Sequence, residues 1–493
     1  MPITYAVAVD WSGNGSFTDT GDDVTNRLRT RTPVTVAYGR DQARALSPTG
    51  PGEAGFELYN GSKDYTPGNA SSPLFPNVRP ARPVRVQMTL ASTTYTVHRG
   101  KFDDYIPSRG NEADRSVTVS AVDSYASMAK VKLSTDLHQG LSTGDAIDVV
   151  LDEAGWTGGR DLDTGSTWIP WWWEEGTEAG EALTKIINSE GPPSLLYVDP
   201  ATNTVVFRDR QHRIMDAASK TSQATFRSSG SDTSTAVQFT PDLTADYGWR
   251  NIVNSVSFDV AERQSVDQTT VWEADELIVI GASGTRVIAI ATTDPFYGAT
   301  VPVEDADYQL NSGSVSSITL SRTSGASTTI TITAGGGGAV LEGLRLRANS
   351  VTVVRTLQVT ASDSTSISVY DEQPWPNDAP WASKYDAQAI ASNIVALRKN
   401  PLIQLSVPLV NGNDFAATQQ LTRKLSDRVT ITDTATGITG DFYIERIEHT
   451  IRGVKGAPIV NTTFGCEAVP SGLTSNPFTL GTSTLNGAAV LVA

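Results

Sequence analysis

Cysteine, histidine, positive charge and long apolar runs are all scarce in this chain of 493 residues. A single cysteine, Cys466, excludes an intramolecular disulfide and a zinc site built on paired thiolates. Its strand-like context marks it as a small buried residue, not a reactive thiol. The four histidines, His98, His138, His212 and His449, are far apart and in no H-E-x-x-H spacing, so each reads as a strand or surface residue. Nowhere do about 18 apolar residues run together, which excludes a spanning helix. The start, MPITYAVAVDWSGNG, lacks the basic-then-apolar order of a secretory signal. There is no G-x-S-x-G elbow, Walker loop or dinucleotide fingerprint. The pairs Asp22-Asp23 and Asp103-Asp104 sit in polar, turn-like settings and read as solvated. No residue is assigned a catalytic, cofactor-binding or metal-binding role, and no enzymatic activity is expected.

Basic residues number 38 against 54 acidic ones, a net charge of −16. That balance argues against a protein whose main affinity is for a phosphate backbone. It suits solubility, and it would also suit a surface that must pass nucleic acid without holding it.

What the chain does have is alternation. Thr, Ser and Val dominate long tracts, and few segments carry a helical period, so the fold is expected to be mainly β. A faint internal echo organises it. The first copy reads RVQMTLASTTYTVHRGKFDDY from Arg85 and, after a charged loop, SVTVSAVD from Ser116. The second reads RVTITDTATGITGDFYIERIEHT from Arg428 and, after another loop, NTTFGCEAV from Asn461. An Arg-Val pair opens each, and Tyr95, Val97 and Arg99 are matched with Phe442, Ile444 and Arg446. The closing runs match Val117, Val119 and Ala121 with Thr463, Gly465 and Glu467 or with their neighbours. Side chains at every second position share a strand face, so each copy reads as a three-stranded meander with one apolar side. Two such modules suggest a duplicated barrel or sandwich.

At this length about three domains are expected. Residues 1–130 read as the first β-barrel domain and 131–215 as a small α+β domain of two helices and a hairpin. In that domain Ser142 or Thr143 caps one helix, Gly155 stops it, and a second helix runs from Thr177 to Gly191. Residues 216–264 read as strands leading to the second barrel. Residues 265–383 read as an inserted β domain, in which the four glycines from Gly335 to Gly338 form a flexible turn. A helix and the second barrel occupy 384–470, and 471–493 read as an extended tail. Five prolines between Pro67 and Pro83 forbid an interior strand there, leaving an excursion held by Tyr65, Leu74 and Phe75.

Between the two helices lies GSTWIPWWWEEG, with Trp168, Trp171, Trp172 and Trp173 before Glu174 and Glu175. Aromatics beside carboxylates would suit a sugar platform with an acid/base pair, but that chemistry needs two carboxylates about 5–10 Å apart across a cleft. Adjacent residues rarely supply that, so the tryptophans are read as wedges between layers or subunits and as the candidate partner interface.

In order and texture the chain resembles tail-tip hub proteins of long-tailed phages, the minor tail proteins of actinobacterial phages and prophages. The resemblance is carried by FELYNGSKDYTPGNASSPLFPNVRPARPVRV, by VHRGKFDDY followed by VTVSAVDSYASM, and by the helical region closing on VVFRDR. WRNIVNSV, the helix around Asp386-Ala387, and DRVTIT…FYIERIEHTI continue it, while residues 265–380 depart from the pattern. The resemblance implies a hub similar to that of contractile tails: a homotrimer with two barrels per subunit that caps a hexameric tail tube. It further implies a virion structural protein at the tail tip, with the tail-tube, tape-measure and other tail-tip proteins as partners. DNA would pass through during ejection without specific binding, and the tip could touch the host surface. A carbohydrate-active enzyme or carbohydrate-binding module is the alternative from another class, and a phage-like injection device would look nearly the same.

Overall fold

The computed structural model describes residues 3–41, 49–453 and 456–470; the tail expected over 471–493 lies outside the described residues. The chain is mainly β, as its alternation requires. Six strands open it: β1 (Thr4–Val9), β2 (Val34–Gly39), β3 (Glu53–Tyr59), β4 (Pro83–Leu90), β5 (Thr93–Pro107) and β6 (Ser116–Asp123). They pair antiparallel in the order β1-β4-β5-β6-β3-β2. Val84, Val86, Met88, Val117, Val119 and Ala121 fill the core face. The proline-rich excursion packs on this core through buried Tyr65, whose carbonyl accepts from Tyr105 Oη at 2.6 Å. Phe75, expected as an anchor, is instead half exposed, and its neighbour Leu74 is the one that packs against the core. Asp22 is not solvated: it is buried and accepts the amides of Trp11 and Asp19.

After α1 (Ser124–Met128) the α+β region runs through β7 (Lys132–Ser134), β8 (His138–Ser142), α2 (Thr143–Glu153), β9 (Gly159–Leu162), β10 (Trp168–Trp172), β11 (Glu175–Glu178), α3 (Ala179–Glu190), β12 (Leu195–Asp199) and β13 (Thr204–Arg208). Ser142 caps α2 by accepting the Asp145 amide at 3.1 Å. Gly155 and Gly191 follow the helices at positive φ, where a side chain would be strained. The apolar stripes Ile147, Val150, Leu151 and Ala182, Leu183, Ile186 meet over Phe207.

Short helices α4 (His212–Met215) and α5 (Ala217–Lys220) lead to β14 (Thr225–Arg227), β15 (Ala236–Gln238) and β16 (Thr244–Asp246). The chain then leaves in long strands: β17 (Ser255–Glu273), β18 (Ile278–Ile280), β19 (Thr285–Ala291), β20 (Phe296–Thr300), β21 (Gln309–Arg322), β22 (Ser327–Glu342) and β23 (Arg345–Ser362). Strand β17 pairs with β23 from Ser255↔Ser362 outward, so the excursion leaves and returns at one point. Gly335 to Gly338 do not form the expected turn; they lie inside β22. The run bulges opposite Ser314, with Gly336 and Gly337 in open space, while its end is crowded: a Cβ at Gly338 would meet the Ile280 carbonyl at 2.8 Å, and one at Gly313 would run into Gly338. Glycine here permits close approach of strands on both sides.

The chain returns through α6 (Ser364–Tyr370), α7 (Lys384–Arg398), β24 (Gln404–Val410), α8 (Asp414–Thr422), β25 (Arg428–Asp433), β26 (Ile438–Arg452) and β27 (Ile459–Ala468). Strands β25-β26-β27-β24-β16 repeat the order β4-β5-β6-β3-β2, every pair antiparallel and every strand in the same chain order. Both central strands, β5 and β26, have 15 residues. The outermost strands differ: β14 runs parallel to β25, whereas β1 is antiparallel to β4. Register corrects the sequence matching, since Val86 opposes His98 and Val429 opposes Phe442. By that register Phe442 matches His98 and not Tyr95, and a bulge after Val86 accounts for one residue of the difference. In β27 the core face is Val460, Phe464 and Cys466, the neighbours of the residues first matched.

The two modules share one 13-stranded sheet, and among the described residues neither closes into the barrel expected for it. Strand β2 would have to meet β1 to close the first, but its outer edge is taken by β26.

Candidate interaction site

The join between the modules is itself an interaction site within the chain. Residues 438–443 of β26 pair with β25, and residues 446–451 of the same edge pair with β2, from Gly39↔Arg446 to Val34↔Ile451. At the changeover a bulge on the β27 side follows Ile444 and sets Glu445 at the joint. Its buried carboxylate takes Arg40 Nε at 3.2 Å and Arg213 at 2.5 Å. Arg40 also donates to the Ser194 carbonyl at 2.8 Å, and the Arg213 guanidinium lies 4.5 Å from the Tyr443 ring centroid. One carboxylate therefore ties β2, β26, α4 and the α+β region together. Burial alone would raise the Glu445 carboxyl, but the charges of Arg213 and Arg40 outweigh it and hold it below the usual carboxylate range. Arg398 and Glu467 form a second buried pair beside it.

Because the modules repeat, each half of this join has a counterpart. Strand β5 corresponds to β26, and among the described residues its residues 102–107 have β6 as their one strand partner, although the Phe102 amide also donates to the Arg82 carbonyl at 3.0 Å. On the edge where β26 receives β2, β5 has no strand, and Ile106 there is 58% exposed. Strand β16 corresponds to β2 and among the described residues pairs only with β24. Just beyond it Trp249 is 61% exposed, with Tyr247 similarly open. Among the described residues the chain thus presents one open edge of each kind that its own junction uses. No signal in the sequence revealed these edges, since pairing partners 400 residues apart leave no local pattern.

The tryptophan segment divides between core and surface. Strand β10 pairs with β8, Trp168↔Ser142 and Trp172↔His138. Trp172 is fully buried in the α+β core and has no surface to offer a partner. Trp168 is 56% exposed. Trp171 stacks on Tyr297 of β20 at 5.8 Å, and Trp173 meets Trp381 edge-on at 5.4 Å. Trp171 and Trp173 therefore wedge the α+β region against the long-stranded excursion and the segment before α7. Glu174 is buried, and its burial raises its carboxyl above the ordinary value; Glu175 is exposed on β11. The two do not face each other across a cleft.

The histidines do not gather. His98 and His449 are buried in β5 and β26, His212 bonds Asp163 at 2.9 Å, and His138 lies 5.8 Å from the Trp172 ring.

No family model and no curated protein matches the sequence. Among solved structures the chain is similar to a tail protein from Neisseria meningitidis MC58, with 12% identity, a TM-score of 0.49, and coverage of 95% of this chain and 97% of the other. It is similar to the 43 kDa tail protein of prophage MuSo2 from Shewanella oneidensis, with 12% identity, a TM-score of 0.48, and coverage of 94% and 98%. It is also similar to a chain of the Francisella PdpA–VgrG complex, with 12% identity, a TM-score of 0.39, and coverage of 97% of this chain and 54% of that one.

Proposed function

We propose that the chain is a structural protein of a phage tail, a tip hub that assembles head-to-tail as a homotrimer and caps the tail tube. The observation that carries this reading is the duplicated module joined through β2 and β26, with the equivalent edges of β16 and β5 left open. A heterologous contact that repeats must close into a ring or run on as a filament. If β16 of one copy docks on residues 102–107 of the next as β2 docks on β26, three chains place six like modules around one axis. Six modules suit the hexameric tube that the family resemblance implies. In this reading the ring forms part of the DNA exit path, and the chain's acidity keeps phosphates from adhering. The tape-measure protein and other tail-tip proteins are the expected neighbours, and exposed Trp168 is the candidate contact for one of them.

Light scattering across a concentration series tests the ring. The expected species has three times the 52.5 kDa of one chain. Ile106→Asp puts a charge on the open edge without touching a core residue, and it should return the chain to the monomer. Wild-type protein that stays monomeric at every concentration, or a trimer indifferent to Ile106→Asp and Trp249→Asp, would overturn this assembly.

A further inference from the structure

We propose that the cleft between Trp171, Trp381 and the first turn of α7 binds a carboxylate-bearing sugar ring, with Arg263 taking the carboxylate. Arg263 follows a bulge in β17, and such bulges re-aim side chains. Its guanidinium carbon lies 5.3 Å from the Trp173 ring centroid and 5.4 Å from that of Trp381. Two indoles thus hold a planar cation in place. Among the described residues the Arg263 guanidinium makes no hydrogen bond or ion pair, and Asp294 acts on it only at longer range. The buried Arg40, Arg213 and Arg398 differ, since each reaches a carboxylate. Five fork-like donors therefore stand unused beside a cavity of about 240 Å³.

The rest of the wall selects for the same class of ligand. Glu262, its one lining carboxylate, is already engaged by Arg355 and by Lys384 Nζ at 2.9 Å, which hold it down to about 2. Arg263 and Lys384 leave the lining cationic in a chain whose net charge is −16. The first turn of the 15-residue α7 contributes Ser383, Lys384 and Tyr385 to the wall, and amides at that position have no intrahelical acceptor. An anion is what this set can pair. Trp171 and Tyr385, the latter 76% exposed, add flat apolar faces for the C–H face of a ring.

Titration of the full chain with D-glucuronate, followed by tryptophan fluorescence and calorimetry, tests the site. D-glucose lacks the carboxylate and acetate lacks the ring. Saturable glucuronate binding is expected, with both comparison ligands weaker by about tenfold or more. Arg263→Met should weaken glucuronate by a similar factor and leave glucose unchanged. No saturation by glucuronate, equal affinity for glucose, or unchanged affinity in Arg263→Met would overturn the proposal. If Arg263→Met does not fold, Lys384→Met at the rim replaces it. Glucuronate affinity that is neither lowered in that variant nor weakened by added salt would then overturn the proposal.

Discussion

Glu445 shows how much one buried side chain can carry. It pairs with two buried arginines, so removing it leaves their charges without that counter-charge at the joint. Breaking a buried pair from one side costs about 3–5 kcal/mol. Glu445→Ala should lower the free energy of unfolding by that order in urea titrations, with the transition losing its single step if the modules part first. His98 and His449 give a pH signature. Burial pushes both down to about 4 from an ordinary value near 6.5. As pH falls through that window the unfolded chain takes up protons that the folded chain refuses. Stability is therefore fully present above the unfolded value and is lost toward pH 4, by up to about 3 kcal/mol for each histidine. His449→Gln should flatten that decline in denaturation measured from pH 7 to 4, although it gives up the bond from Nδ1 to Thr462.

At the scale of elements, packing separates residues that composition and strand parity both put together. Trp172 and Trp168 sit on one short strand, yet one is core and the other surface. Trp172→Ala should cost about 3–5 kcal/mol, and Trp168→Ala should stay within about 0.5 kcal/mol; thermal melts of the two variants check both. Gly39 ends β2 at φ +106, and a Cβ there would run into the backbone at Glu445. Gly39→Ala should cost about 2 kcal/mol or more by straining the strand that joins the modules. Gly437, also at positive φ but in open space, should cost only about 1 kcal/mol when changed to Ala. The helices were legible at this scale. Ser142, Gly155, Gly191 and the stripe of α7 are local signals, and local geometry obeys them. The Gly335–Gly338 run misled for the converse reason: glycine marks a turn or a close approach, and only the neighbouring strands decide which.

Across the whole molecule the long-stranded excursion is an appendage to the duplicated sheet. It leaves and returns as paired strands, and its distal core of Ile330, Ile332, Leu341 and Leu346 is separate from those of the two modules. Replacing residues 263–354 with a two-residue turn should therefore leave the sheet folded, since Glu262 and Arg355 are register partners. Circular dichroism should retain a cooperative transition, and light scattering should retain the trimer of the hub reading. Aggregation, or loss of the ring, would make the excursion part of the assembly.

Alternation and turn chemistry, which depend on neighbours a few residues apart, determined the mainly β character, the helices and the faint meander repeat from the sequence alone. The distances that matter most are between residues far apart in the chain. Arg40 meets Glu445, and Trp173 meets Arg263 and Trp381, across separations that leave no periodic trace. Only the tertiary structure decided that β2 would take the edge of β26. Strand edges are chemically alike, and which two of them pair is settled by what else each one is holding.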